Sequence, residues 1–279
     1  MGVITTRKSG RVTLHMEQFS HPCEVAEVNR TRTITDRRFD DKSRDHSMSK
    51  SWEGVDSFEE AMEYLENGYQ PNVEKLEVGD AELQGIEKRI KFQNDVAGFA
   101  PIVPLAIMGV PNCMINCHMK PIKAKVLDVY YDMTASCGTD PDDLLKAGQK
   151  MLSAILQLEM QGYKFNLYTT QNYYDDGEAD MIVVKVKGSN EPLNIKRMSF
   201  ALCHPAFFRV VGFDWYSRVP GGKYRSGYGR SMFYAMDRDE AEVIFRDVFG
   251  DNAVAFSATK ILNRDEEYLK DTLRNTKTA

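Results

Sequence analysis

The stretch of residues 124–169 reads AKVLDVYYDMTASCGTDPDDLLKAGQKMLSAILQLEMQGYKFNLYT, and it decides the fold. Residues 124–131 are rich in β-branched and aromatic side chains, which predicts a buried strand. Asp140 is followed by proline, which predicts a helix start, and Gly162 predicts the end of that helix. Residues 163–169 again follow a strand pattern. A strand, a helix and a strand at this spacing predict a parallel pair joined by a right-handed crossover.

The residues downstream continue the same kind of domain. A polar turn at Asp175 leads to a third strand over 181–187, which we expect to pair antiparallel at an edge of the sheet. Patterns for helix over 192–219, broken near Pro205, and for strand over 252–257 follow, each with a further helix behind it. The order β-α-β-β-α-α-β-α predicts an α/β fold, a three-layer αβα sandwich with a mostly parallel sheet, over residues 122–279. Its β-α-β-β opening is similar to that of von Willebrand factor A-type domains.

Two further regions precede this domain. Residues 1–50 hold ten Lys or Arg and seven Asp or Glu, a balance of +3, so the remainder carries −8. Apart from short strand patterns at 11–14 and 24–28, this region predicts an extended basic arm, disordered or ordered only against a partner. In 51–121 we expect a helical hairpin over 57–92. A proline-rich apolar segment follows, which we expect to pack against the main domain.

Composition restricts the class of protein. The net charge of −5 excludes a polyanion binder that acts through bulk charge. The longest apolar run, 96–110, contains two prolines and two glycines and is too broken to span a bilayer. Five cysteines at irregular spacing fit reduced thiols better than a disulfide framework. We therefore expect a soluble intracellular protein that does not bind membranes.

One candidate metal set follows the first strand of the main domain. Asp132, Thr134 and Ser136 alternate along the turn where α/β sheets bind ligands, and carboxylate and hydroxyl oxygens suit a hard cation. The pattern resembles the Asp-x-Ser-x-Ser opening of the adhesion site of A-type domains, with Thr in place of the first Ser. The best later donors are Asp175 and Asp176. Mg²⁺ is the one cofactor that this set suggests; the alternative is that these residues cap a turn.

A basic and aromatic loop spans 221–230. Its cations, Lys223, Arg225 and Arg230, can neutralise phosphates, and its aromatic rings, Tyr224 and Tyr228, can stack on bases. The spacing of its glycines does not match a phosphate-binding loop. The loop is therefore a candidate for contact with single-stranded nucleic acid, and the alternative is a flexible connector whose tyrosines pack on the surface.

Cysteine and histidine residues suggest weaker sites. Cys113 and Cys117 have a spacing that zinc accepts, but the apolar residues between them favour buried thiols. His204 precedes a proline within an apolar helix pattern, which indicates a core histidine rather than a general base. No nucleophile and base can be paired from spacing, so the sequence favours a non-enzymatic protein over an enzyme.

Several blocks of residues carry a family resemblance, spread in order over about 51–230. They are Ser51-Trp-Glu-Gly, Ser57-Phe-Glu-Glu-Ala, Asp95-Val-Ala-Gly-Phe, Val103-Pro, Gly109-Val-Pro-Asn-Cys-Met, Ala147-Gly, Gly162-Tyr-Lys-Phe-Asn-Leu, Phe200-Ala-Leu-Cys-His-Pro-Ala and Gly227-Tyr-Gly. In these blocks the chain resembles an uncharacterised family of bacteriophage and prophage proteins. The resemblance implies a phage-encoded protein, located in the cytoplasm of the infected cell or in the virion, and it implies no catalytic residues.

Three functional hypotheses follow from these patterns. The first is a non-enzymatic phage protein whose loops at the strand carboxyl ends bind a macromolecular partner, either protein or nucleoprotein. The second is a single-stranded nucleic-acid-binding protein that uses 221–230 and the basic arm. The third is a metal-dependent, phosphoesterase-like enzyme at Asp132. The sequence leaves the oligomeric state open.

Overall fold

A computed structural model describes residues 4–35, 46–69, 90–119, 126–219, 230–236 and 238–276. The strands within these ranges are β1 (Ile4–Ser9), β2 (Val12–Phe19), β3 (Ile90–Asp95), β4 (Ala100–Pro101), β5 (Met114–Met119), β6 (Val126–Asp132), β7 (Lys164–Asp175), β8 (Glu178–Lys187) and β9 (Ala253–Ser257).

The helices fall into three groups along the chain. Before the main domain lie α1 (Pro22–Thr31), a 3₁₀ turn (His46–Ser49), α2 (Lys50–Glu53), α3 (Phe58–Asn67) and α4 (Val103–Ile107). Within it lie α5 (Pro141–Met160), α6 (Ile195–Cys203), a π-helix (Phe207–Gly212) and α7 (Phe213–Ser217). The last group is α8 (Met232–Ala235), α9 (Arg238–Phe249), α10 (Ala258–Ile261) and α11 (Glu266–Asn275).

The main sheet has six strands in the order β1-β2-β8-β7-β6-β9. Three of its five pairings are parallel, namely β2 with β8, β6 with β7, and β6 with β9. The β6-α5-β7 unit is the parallel pair that the sequence predicts, and β7 and β8 form the predicted antiparallel pair. The prediction of an α/β fold with a mostly parallel sheet is therefore confirmed.

Helices cover both faces of this sheet, so the domain has three layers. On one face, α1, α3, α5, α6, α7, α10 and α11 enclose the larger apolar cluster with Leu127, Phe165 and Val254 of the sheet. On the other face, α8 and α9 cover Leu14, Tyr130 and other residues of a smaller cluster. Because successive side chains of a strand point to opposite faces of the sheet, each strand contributes residues to both clusters.

The prediction of an N-terminal arm that is disordered, or ordered only against a partner, is wrong for residues 4–35. There β1 and β2 form a hairpin that extends the sheet beyond β8. Strand β8 therefore lies inside the sheet and not at its edge, where the sequence predicts it. Glu17 of β2 is fully buried, and its Oε2 accepts hydrogen bonds from Arg32 Nη1 at 2.8 Å and from Trp215 Nε1 at 2.8 Å. Partners from distant parts of the chain thus allow a polar segment to be buried.

The expected strand at 24–28 is helix α1. The ring of His21 accepts a hydrogen bond from the N–H of Cys23 at 3.2 Å, and Pro22 occupies the first turn. Val25, Ala26 and Asn29 are buried at helical spacing, which packs one face of α1 on the core. The helix cap and the helical spacing of the buried residues therefore outweigh the preference of valine for strands.

In 51–121 the sequence prediction holds in part. Helix α3 is capped at its start by Ser57, as predicted, whose hydroxyl accepts from Glu60 N at 3.1 Å, and Gly68 caps its end. The predicted second helix falls mostly on 70–89, outside the described residues, while 90–92 belong to β3. The apolar segment that follows carries exposed side chains, including Val103 at 57% and Ile107 at 81%, rather than packing on a core.

The helix predicted over 192–219 is interrupted at His204, next to Pro205 as the sequence predicts, and the π-helix begins at Phe207. Gln171 Nε2 of β7 donates to the carbonyl of Phe207 at 2.6 Å and so ties the start of the π-helix to the sheet. A Cβ atom at Gly212 would lie 1.4 Å from Gln171 Oε1, so a larger residue there would have to displace the hydrogen-bonded Gln171 side chain.

Candidate functional site

The carboxyl end of β6 carries a buried carboxylate. Asp132 is 1% exposed and lies between its register partners, Thr170 of β7 and Ser257 of β9. Its Oδ1 accepts from the hydroxyl of Thr134 at 2.7 Å and from the N–H of Thr134 at 3.3 Å, and its Oδ2 accepts from Ser231 Oγ at 2.7 Å. Donors from the protein thus satisfy both carboxylate oxygens.

These contacts belong to a larger network, which we call the Asp132 cluster: Asp132, Thr134, Asn172 and Ser231. The N–H of Asn172 donates to Thr134 Oγ1 at 2.9 Å, and Asn172 Oδ1 accepts from Met232 N at 2.6 Å. The cluster therefore fixes the start of α8 against the ends of β6 and β7.

Burial changes the ionisation of the carboxylate. It raises the pKa of Asp132 from 3.8 to about 6, because desolvation disfavours the charged form. Hydrogen bonds from Ser231 and Thr134 favour the carboxylate and limit the rise. Thr170 Oγ1, next to it on the sheet, is buried without a hydrogen-bond partner in the described ranges.

The predicted Mg²⁺ residues are only partly brought together. Asp132 and Thr134 are in contact, whereas Ser136 is exposed and its hydroxyl accepts from Gly138 N at 3.3 Å in a local turn. Asp175 lies five positions beyond Thr170 on β7, about 16 Å along the strand. Across the described ranges, no three His, Cys, Asp or Glu side chains form a group that could hold a metal ion.

The predicted nucleic-acid loop lies largely outside the described residues. Of its five candidate residues, Arg230 is described, while Lys223, Tyr224, Arg225 and Tyr228 fall in 220–229. The side chain of Arg230 is 49% exposed, and its Nη1 lies 3.7 Å from Asp175 Oδ1. This cation therefore faces solvent next to an acidic neighbour.

The residues on both sides of 220–229 are held by hydrogen bonds. On one side, Arg218 forms a buried ion pair with Asp214, with Nε to Oδ2 at 2.7 Å, and donates to the carbonyl of Arg32. On the other side, the carbonyl of Arg230 accepts from Tyr174 N at 3.0 Å, and Ser231 bonds Asp132. The fold thus fixes the described residues on both sides of 220–229.

A second polar segment begins next to the first. The N–H of Thr35 donates to the carbonyl of Ser217 at 2.8 Å, and its hydroxyl donates to the carbonyl of Val219 at 3.3 Å. Residues 36–45, which follow Thr35, and residues 220–229, which follow Val219, therefore start from neighbouring points. Sequence alone does not reveal this proximity, because the two points are far apart along the chain.

The weaker candidates have ordinary structural roles. His204 is buried among the rings of Tyr64, Tyr69 and Phe200, and burial lowers its pKa to about 4. It is a core histidine, as the sequence predicts. Cys203 is buried and Cys113 is half-buried. Within the described part of the chain, no helix has the length and apolar content needed to span a membrane.

Sequence reasoning missed Asn172 and Ser231. Ser231 stands directly before the apolar residues Met232 and Phe233. A serine in this place predicts a helix cap, and this was the one local signal that could have drawn attention to it. Its side chain indeed accepts from Phe233 N at 3.1 Å while donating to Asp132.

Comparison with known proteins adds a family. No curated protein and no solved structure matches the chain. One family model, described as a domain of unknown function, matches residues 7–270, and so it includes the N-terminal hairpin together with the main sheet. The chain belongs to this family, DUF7192.

Proposed function

We propose that this chain is a binding protein that holds polar segments at the strand carboxyl ends towards a macromolecular partner. The observation that carries the proposal is the use of Asp132. At the place where α/β sheets bind ligands, its carboxylate accepts three hydrogen bonds from Thr134 and Ser231, and Ser231 directly follows Arg230. A group engaged in this way serves to position the neighbouring segment.

The buried ion pair at the other side of 220–229 supports the same proposal. Taking Arg218 and Asp214 out of water is costly unless both are well bonded. This ion pair therefore fixes Arg218, two positions before residues 220–229. Fixing both ends of a segment lowers the entropy lost when it binds a partner.

A site-specific crosslinking experiment tests the proposal. A photoreactive amino acid replaces Tyr224 or Tyr228, and a control replaces Lys164, which is exposed at the opposite end of β7. We expect adducts with a macromolecule in cells from the segment positions and none from the control position. Adducts that resist nuclease indicate a protein partner. Equal labelling from all three positions, or none from any, would contradict the proposal.

A second candidate function is binding of single-stranded nucleic acid. Arg230 favours it as a half-exposed cation beside the segment that holds Lys223 and Arg225. The assay is fluorescence anisotropy of labelled single-stranded oligonucleotides over a salt series. The double variant Lys223→Ala with Arg225→Ala should lower the slope of log K against log salt by about 1.4.

The matched control for this assay removes two exposed cations outside 220–230, Lys164 at the start of β7 and Lys196 on α6. It is the double variant Lys164→Ala with Lys196→Ala, and we expect it to bind like the parent. Binding that does not depend on salt, or that both double variants weaken equally, would exclude the nucleic-acid function.

The third hypothesis, a metal-dependent enzyme, receives less support because Asp132 is already engaged. Its test is Mg²⁺-dependent hydrolysis of a phosphodiester by the pure protein. Hydrolysis that Asp132→Asn abolishes would overturn the binding proposal in favour of an enzyme.

Two finer expectations remain part of the proposal. The strand order β8-β7-β6-β9 supports an A-type domain relationship for the second half of the chain. The phage origin, with a location in the infected cell or the virion, rests on the sequence resemblance over 51–230.

A further inference from the structure

The strand β9 is an edge of the main sheet whose outer side is unpaired. It pairs with β6 along one side. Among the described residues, the backbone of Val254, Ala255 and Phe256 makes no hydrogen bond outside that pairing. Since the polar groups of successive strand residues point to alternate sides, some N–H and C=O groups of β9 point outward without a partner.

The two edges of the sheet differ in chemistry. The opposite edge, β1, carries exposed Arg7 and Lys8, and charges of this kind protect an edge from pairing with other chains. In contrast, β9 reads Ala-Val-Ala-Phe-Ser and has no charged residue. Its side chains are nearly buried, with Val254 at 7% and Phe256 at 5% exposed. The β9 edge is therefore unprotected but recessed.

A groove runs along this recessed edge. Its volume is about 740 Å³, and its walls are α9 on one side and α11 on the other, with β9 between them. One strand residue occupies about 160 Å³, from a rise near 3.3 Å, a strand spacing near 4.8 Å and a sheet thickness near 10 Å. The groove thus has room for about five residues in extended conformation, which is the length of β9.

The two walls select different side chains. The α11 wall presents neutral groups, among them Tyr268, Thr272 and Asn275. The α9 wall presents Glu242 and Arg246. Glu242 lies 3.9 Å from Lys260 Nζ. Arg246 is exposed, and no ion pair to another described residue engages it. Arg246 therefore offers a cation to an incoming strand, while Asp251, which is exposed two residues before β9, places an anion at the end of the groove.

We propose that this groove binds an extended segment of a partner protein, which adds to the sheet as a strand beside β9. Apolar side chains of the segment face α11, and an acidic side chain faces Arg246. The recessed position of β9 favours this occupant over a second copy of the chain. In a second copy β9 is equally enclosed by its own helices, so two such edges meet only if helices move.

Fluorescence anisotropy with the full chain tests the proposal. The probe is a labelled Val-Glu-Val-Thr-Val-Thr hexapeptide, in which valine and polar residues occupy opposite faces of a strand. One comparison peptide carries N-methyl groups on the alternate residues whose N–H groups would face β9, so it cannot donate those hydrogen bonds. Another has Lys in place of Glu. We expect either change to weaken binding by about tenfold or more.

Protein variants locate the binding. Arg246→Glu should reverse the preference between the Glu and Lys peptides, while Val243→Glu, on the exposed side of α9, should leave it unchanged. Asn275→Trp should fill the groove and abolish binding. Sedimentation velocity is measured in parallel. Equal binding of the methylated peptide, no binding of the Glu peptide at millimolar concentration, or a dimer that Asn275→Trp dissociates would each overturn the proposal.

Discussion

Replacing Asp132 by Asn should remove a pH-dependent loss of stability. Burial raises the pKa of Asp132 from 3.8 to about 6, so the folded state holds its proton more tightly than the unfolded state does. The stabilising effect of that proton is complete below pH 3.8 and is lost as the pH rises through 6. The amide in the Asp132→Asn variant does not titrate, and its oxygen still offers one acceptor to Thr134 or Ser231.

The magnitude follows from linkage between these two pKa values. Between pH 5.0 and 7.5, ionisation of Asp132 should lower the free energy of unfolding by about 1.4 kcal/mol. The parent should therefore lose about this much stability relative to Asp132→Asn over the same interval.

Urea unfolding of both proteins at pH 5.0 and pH 7.5 measures how the stability of the parent relative to Asp132→Asn changes with pH. Comparison with the variant cancels the titration of every group that both proteins share. A parent-to-variant difference that is the same at both pH values would refute the reasoning, as would one that grows in favour of the parent at pH 7.5.

Three further predictions concern buried polar groups and close packing. Ser231→Ala removes the donor to Asp132 Oδ2 and should destabilise the protein by about 2 kcal/mol at pH 7.5, with a smaller loss at pH 5.0, in urea unfolding. Lys187 and Glu159 form a buried ion pair at 2.6 Å. Lys187→Met leaves the Glu159 carboxylate without its partner and should lower the free energy of unfolding by about 3 kcal/mol. Adding Glu159→Leu should restore most of this loss, which a double-mutant cycle measures. At Gly148 a Cβ atom would lie 2.1 Å from the carbonyl oxygen of residue 202, so Gly148→Ala should lower the Tm and cost about 2 kcal/mol, whereas Gly138→Ala, with its nearest atom at 3.8 Å, should not.

The sequence predicts those parts of the fold whose signals are local. Residues 124–169 contain two apolar strand patterns and a capped helix between them, so β6, α5 and β7 follow from neighbours along the chain. The antiparallel turn into β8 is also local, since Asp176 and Gly177 both adopt the positive φ angles of a tight turn.

The missed parts depend on partners far away in sequence. From the sequence, the segment of β1 and β2 is predicted to be too polar to fold. Glu17 is buried there because Arg32 and Trp215 donate to it, and these partners come together only in the folded domain. The Asp132 cluster has the same character, since Asp132 and Ser231 are 99 positions apart. A carboxylate that ends a strand suggests a metal ligand, whereas the serine that engages it carries only the signal of a helix cap.

The pairing of β2 with β8 has a consequence for synthesis of the chain. Thr13 pairs with Glu178, so the hairpin leaves the ribosome roughly 165 residues before its partner. At 5–20 residues per second this delay is on the order of 10–30 s. During that time Val12, Leu14 and Met16 lack the strand and helices that later bury them. Closing so long a loop also slows folding, so these apolar side chains stay exposed for longer than those of locally paired strands.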